Sequence, residues 1–91
     1  MLSLWNRFLM SDTNIEFTVD ASGLQCPLPL LKTRQALRHM QPGQLLEVIA
    51  SDPGSAQDIP AYLRQSNHQL VRSEATGHHY RFLICCGTEA P

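Results

Sequence analysis

Two prolines one residue apart, Pro27 and Pro29, constrain this chain more than any other feature. Neither has a backbone N–H, and a proline ring is tolerated in a helix only in the first turn, where N–H groups have no acceptor within the helix. A Leu-rich stretch follows as far as Met40, where Pro42 and Gly43 stop it. The pair predicts a helix running from Pro27 to Met40, with Cys26 as N-cap, Pro27 at N1 and Pro29 at N3. Gly23 permits the turn that leads into it.

The rest of the chain is punctuated at short, even intervals. Ile15, Phe17 and Val19 alternate with Glu16, Thr18 and Asp20, which predicts a half-buried strand over 14–20. The apolar run Leu45 to Ala50 reads as a second strand, ended by Asp52, Pro53 and Gly54. Ser55 followed by Asp58 resembles a capping box, or Asp58 is itself the N-cap, of a second helix ending near Gln65 with Pro60 early in it. Leu70 and Val71 open a third strand that reaches Ala75. Thr76 and Gly77 turn the chain, and Tyr80, Phe82 and Ile84 alternate in a fourth. Each helix has one apolar side to cover, so the expected architecture is an α+β, two-layer βαβαββ sandwich. Its mixed four-stranded sheet carries both helices on one face; the patterns leave strand order open. Residues 14–87 form the domain, with a flexible extension over 1–13 and a tail over 88–91.

With 91 residues, 43% of them hydrophobic, the chain has material for one small domain burying roughly 60–65% of its surface. A large enclosed active site is not expected, so function belongs on the surface. Seven Lys and Arg against eight Asp and Glu give a net charge of −1, which argues against direct, tight nucleic-acid binding. The opening Met1 to Met10 is apolar but too short to span a bilayer, so no membrane association is expected. Three cysteines, Cys26, Cys85 and Cys86, do not make a disulfide framework and point to a reducing, cytoplasmic setting.

As an N-cap, Cys26 would face the positive end of a helix dipole, which favours the thiolate and lowers the thiol pKa. No second cysteine lies two residues on, so a thioredoxin-type dithiol has no local partner. A single exposed thiolate can still take up and pass on a sulfur atom as a persulfide. From Cys-Pro alone a merely structural cysteine stands as an equal alternative.

The fuller pattern, Asp20-Ala21-Ser22-Gly23-Leu24-Gln25-Cys26-Pro27-Leu28-Pro29, with Asp52-Pro53 and Asp58-Ile59-Pro60 further on, resembles the TusA/SirA-like sulfur carriers from about Glu16 to Gly87. The resemblance implies the same βαβαββ sandwich and a persulfide on Cys26. It further implies loading by a cysteine desulfurase and delivery to an acceptor protein, with tRNA 2-thiouridine synthesis or molybdenum-cofactor sulfuration as destinations. No bound cofactor is implied. Asn67 stands where the family often has Gly before a histidine, Leu28 where some members are acidic, and Cys85-Cys86 lies outside the signature.

At 100° per residue, Leu30, Thr33, Ala36, Leu37 and Met40 share the expected core arc of the first helix. Leu28 and Leu31 fall outside it, near Arg34, Gln35 and Arg38. This is the expected docking face, with the leucines as anchors and the arginines steering an acidic rim; the family places desulfurase contacts around these positions. Asp20 and Asp52 sit at strand ends and are expected to orient the cysteine loop or touch a partner, since an acid beside Cys26 raises its pKa; Asp58 is expected to cap. His78, His79, Cys85 and Cys86 are metal-ligand types, but strand neighbours point to opposite faces and split each pair, so no metal site is expected. The leading reading is a sulfurtransferase-type persulfide carrier, monomeric when free. Its rivals are a regulatory, protein-interaction module that carries no sulfur and a thiol–disulfide switch pairing Cys26 with Cys85 or Cys86.

Overall fold

A computed structural model describes residues 15–88; the expected extension and most of the tail lie outside them. The elements in chain order are β1 (Ile15–Ala21), α1 (Leu28–Arg38), β2 (Leu45–Ala50), α2 (Pro53–Arg64), β3 (Gln69–Thr76) and β4 (His79–Cys85). The four strands form one sheet in the order β1-β2-β4-β3. β1 and β2 are parallel, while β4 runs antiparallel to both β2 and β3. A parallel pair needs a crossover of a dozen or more residues, and α1 supplies it. This is the expected mixed sheet, with a strand order that sequence patterns left open.

The core lies between the sheet and both helices. Leu37 from α1 and Met40 just beyond it, Ile59 and Leu63 from α2, and Leu46, Val48, Phe82 and Ile84 from the central strands form one buried cluster with Cys86. The register explains why one sheet face supplies all four strand residues: Leu46 pairs with Ile84 and Val48 with Phe82. On α1, Pro29, Thr33 and Leu37 are buried, with Leu30 and Ala36 partly buried against the cluster, so the expected core arc holds. Thr33 is fully buried and its hydroxyl donates to the Pro29 carbonyl at 2.8 Å. That bond satisfies a polar group whose desolvation would otherwise count against burial.

Several local expectations are corrected. α1 begins at Leu28 and ends at Arg38, with Pro27 rather than Cys26 at the N-cap. The Leu28 N–H that a sulfur cap would have used donates instead to the Gln25 carbonyl at 2.8 Å, and Pro27 is the residue whose carbonyl accepts from Leu31 N–H. α2 starts at Pro53 rather than near Ser55 or Asp58, because Asp52 is the N-cap and accepts from Ser55 N–H at 3.0 Å; proline at N1 fits that start. Pro60 consequently lies inside the helix.

In β1 a bulge between Ile15 and Phe17 breaks the alternation. Ile15 sits opposite Leu45 and Phe17 opposite Leu46, so the two project to opposite faces, and Phe17 remains exposed. Glu16, the extra residue, accepts from Leu45 N–H at 2.9 Å through its carboxylate. A second bulge, between Leu70 and Arg72, leaves Val71 exposed on the outer strand. Bulges concentrate at sheet edges, and both of these lie on edge strands.

Hydrogen bonds anchor the segment that follows β4. Cys86 N–H donates to Gln44 O and Gly43 N–H to Cys86 O, each at 2.8 Å, and Gly87 N–H donates to His68 Nδ1 at 2.9 Å. Accepting at Nδ1 requires neutral imidazole with its proton on Nε2, and burial pushes the His68 pKa below the ordinary value. The unfolded chain therefore binds more protons at mildly acid pH. Stability is fully present above the unfolded histidine pKa, near 6.5, and declines as pH falls through it toward the lower folded value. Thermal melts between pH 7.5 and 5.5 should show this decline, and His68→Asn, which keeps an acceptor near Nδ1 but does not titrate, should flatten it.

Candidate functional site

Parallel pairing of β1 and β2 puts Ala21 beside Ala50, so the segments that leave these strands emerge at the same edge. One leads through Gly23 and Cys26 into α1, and the other through Asp52 into α2. They are tied together by Gly23 N–H donating to Ser51 Oγ at 2.8 Å. The positive φ of Gly23, 81°, is the left-handed conformation that glycine takes without penalty. Asp20 accepts from Ser22 N–H at 3.0 Å. Hydrogen bonding from Ser22 holds the Asp20 carboxyl below its ordinary pKa. Asp20 thus braces the start of this loop, whereas Asp52 acts on α2.

Cys26 is exposed, and its thiol donates to Asp58 Oδ2 at 2.6 Å. Asp58 reaches it from the second turn of α2, so it is a partner of the sulfur and not a helix cap. The first turn of α2 also lies against Cys26. A Cβ placed on Gly54 would stand 2.9 Å from Asp52 Oδ2, 3.3 Å from Cys26 Cβ and 3.7 Å from Cys26 Sγ. Gly54, read from sequence only as the end of a strand, is where the backbone of one helix makes room for the side chain at the head of the other. A glycine just inside an Asp-Pro helix start was the available signal, since a residue that costs helix stability needs a reason to be there.

The sign of the Cys26 pKa shift is opposite to that expected. The hydrogen bond to Asp58 raises it first, desolvation adds to this, and the charges of Asp58 and Asp52 add further. A full negative charge in direct contact outweighs the partial charges at a helix terminus. These contacts favour the thiol over the thiolate.

Around the sulfur, Leu28 and Leu31 are 46% and 43% exposed, large values for leucine on a helix that packs against a core. Arg34, one turn beyond Leu31, holds its guanidinium 5.5 Å from the centre of the Tyr62 ring, a cation–π distance. Arg34 and Arg38 border a groove of about 540 Å³ between the helices and the chain end, with Tyr62, His68 and Cys86 among its lining residues. The expected docking residues thus form one face running from Cys26 along α1.

The other two cysteines are elsewhere. Cys85 pairs with Leu45 at the start of β2, whereas Cys26 sits beyond the end of that strand, five extended residues or about 17 Å further on. Cys86 is buried in the core cluster. Disulfide formation needs Cα atoms within about 7 Å, so the fold rules out the pairing on which the thiol–disulfide switch depended. His78 and His79 lie at the β3–β4 turn, and the described residues contain no cluster of three or more His, Cys, Asp or Glu suited to a metal ion. Among the described residues no helix is long and apolar enough to cross a membrane.

With this geometry in view, comparison with known proteins gives a consistent result. The model of the sulfurtransferase TusA family matches residues 17–85. A sulfur carrier protein TusA from Allochromatium vinosum is 47% identical over 66 residues, spanning 72% of this chain and 87% of the relative. The chain belongs to the TusA family. The crystal structure of a SirA-like protein from Desulfitobacterium hafniense, 22% identical, superposes with a TM-score of 0.61 over 78% of this chain and 97% of that one, in agreement with the α+β fold. This TusA-family chain is a sulfur carrier, and the matched span contains the Cys26 loop, Gly54 and Asp58.

Gly54→Ala is expected to displace the Asp52 carboxylate from Ser55 N–H, because the added methyl falls closest to that oxygen. Loss of an N-cap costs about 1 kcal/mol. Chemical denaturation should therefore show a lowered midpoint with little change in slope.

Proposed function

We propose that Cys26 is the atom on which this carrier holds sulfur, that a cysteine desulfurase loads it, and that a downstream acceptor protein unloads it. The observation that carries this reading is the placement of the cysteines. Cys26 is the exposed thiol of the three; Cys85 is partly covered and Cys86 buried. It stands at the rim where two helices begin, with no wall around it, so another protein's thiol can reach it. Transfer is an exchange between sulfurs: an attacking thiolate breaks one S–S bond as another forms, and the displaced cysteine leaves as thiolate. The surface needs only to present the sulfur and orient the partner. Pro27 and Pro29 stiffen the presenting loop, and Gly23 shapes its turn.

Leu28 and Leu31 serve as the apolar anchors of the docking face, and Arg34 and Arg38 steer an acidic partner surface toward it. The chain works as a monomer in the cytoplasm, where reducing conditions keep Cys26 free. Thiolation of tRNA and sulfuration of a molybdenum cofactor are the destinations that the family resemblance suggests. In either case the nucleic acid or cofactor is met by the acceptor and not by this weakly acidic chain.

Incubation with a cysteine desulfurase and cysteine should add about 32 Da to the peptide containing Cys26, reversibly with dithiothreitol. Cys26→Ser should abolish the gain, whereas Cys85→Ser should retain it. A folded protein that gains no mass would instead favour the regulatory-module reading. Leu28→Ser with Leu31→Ser should reduce the rate of loading by about tenfold or more, as expected for two interface anchors worth roughly 1 kcal/mol or more each, with an unchanged melting profile. Equal loading would remove the docking role.

A further inference from the structure

Asp58 is charged, sits in the second turn of α2 and satisfies none of that helix's own N-terminal donors, because Asp52 is the cap. Its carboxylate is instead 2.6 Å from Cys26 Sγ, 32 residues away in sequence. Gly54 allows this approach, since a side chain there would meet Cys26 and Asp52 together. The charged groups acting on the sulfur are Asp58 in α2 and Asp52 at its N-cap, both acidic. The arginines of α1 are directed elsewhere: Arg34 lies over Tyr62, and Arg38 lines the groove near the chain end.

We propose that Asp58 is a proton-holding residue that keeps Cys26 in its thiol form while the carrier is free, and that the partner releases it by bringing a cation opposite Asp58 and Asp52. This rests on Cys26 as the sulfur-bearing atom and adds how that atom is switched. When the donor's persulfide, R–S–S–H, arrives and the partner's cation offsets both carboxylates, Cys26 attacks the outer sulfur as its proton leaves for the donor cysteine. The donor's S–S bond breaks with its electron pair leaving on the donor cysteine. That leaving thiolate takes up the proton that Cys26 gives up. The products are R–S–H and Cys26–S–S–H, so one sulfur atom has moved with no net gain or loss of electrons or protons.

The arrangement has a use. A free carrier with a standing thiolate would react with any electrophile or disulfide it met. A hydrogen bond to a carboxylate holds the proton in place, and the two negative charges disfavour the thiolate that would otherwise form. A cation presented by the partner offsets those charges only inside the complex, where contact distances make the interaction strong. The partner surface around the donor cysteine is therefore expected to be basic, while the surface meeting Arg34 and Arg38 further along α1 is acidic. Such a two-signed pattern also fixes orientation.

The test uses the full chain without any sulfur donor, so its outcome does not depend on whether Cys26 carries sulfur. Alkylation of Cys26 by iodoacetamide is followed by peptide mass across pH 6 to 10, and the same series is run with the anionic reagent iodoacetate. In the wild type the rate should still be climbing above the ordinary thiol range, and the preference for iodoacetamide should exceed that of free cysteine. Asp58→Asn should react about fivefold or more faster at pH 7.5, as a downward shift of the profile by most of one pH unit requires, and its preference for the neutral reagent should shrink. Asp58→Glu, which restores the charge on a longer arm, should move both readouts back toward wild type. A merely structural role would change the melting profile without moving the rate profile or reagent preference. If a folded Asp58→Asn protein superposes on wild type in both readouts, or its profile moves upward, the proposal fails while the mass-gain test of Cys26 stands on its own.

Discussion

The site depends on one pairing, the parallel alignment of β1 with β2. Antiparallel neighbours would have sent the two following segments to opposite ends of the sheet. Parallel ones deliver both to the same edge, as the facing pair Ala21 and Ala50 shows. Ligand and reaction sites collect at this kind of edge in sheets with parallel strands, because loops and helix starts converge there. Here the convergence is tightened by Ser51 Oγ accepting from Gly23 N–H and by Gly54, whose missing side chain lets α2 lie against Cys26. No catalytic cavity is needed, and a chain of this size has little interior to make one.

At that edge two electrostatic influences oppose each other on one sulfur. The N-terminal ends of α1 and α2 carry partial positive charge, which favours a thiolate. The carboxylates of Asp58 and Asp52 favour the thiol, and they prevail because Asp58 accepts the S–H hydrogen bond directly. A helix dipole weakens within a turn and is shared with groups that already satisfy the terminal N–H donors. On α2 the Asp52 cap takes the Ser55 N–H, so part of that terminus is already neutralised. The result suits a carrier that must remain inert between encounters.

Much of the fold was legible because burial imposes periodicity. Thr33 and Leu37 of α1 and Met40 just beyond it are buried as the arc required, and the exposure of Leu28 and Leu31 followed from the same wheel. Alternation in Tyr80, Phe82 and Ile84 located β4 and also separated Cys85 from Cys86. Two of the failures share a cause, in that each required knowledge of a residue distant in sequence. The bulge at Glu16 inserts one residue and reverses the face of Ile15, and its stabilising contact is with Leu45 N–H, 29 positions away. Ser55 and Asp58 were the helix-start candidates in the sequence, while Asp52 read as the end of a strand. Local spacing could not distinguish the acid that caps from the one that turns away to meet Cys26.

That ambiguity is itself informative about the site. Asp-Pro with Ser three residues after the Asp is sufficient to start α2, so a further acid at position 58 has no helical task. Local preference satisfied twice over in a small domain leaves the second group available to tertiary chemistry, and sequence and structure are expected to part company at functional positions. Pro60 supports the same view. Two residues beyond Asp58 and inside α2, it removes a backbone donor where helix stability alone would retain one. A helix optimised only for stability would carry neither residue. In α2 they accompany a face that holds an acid against an exposed thiol.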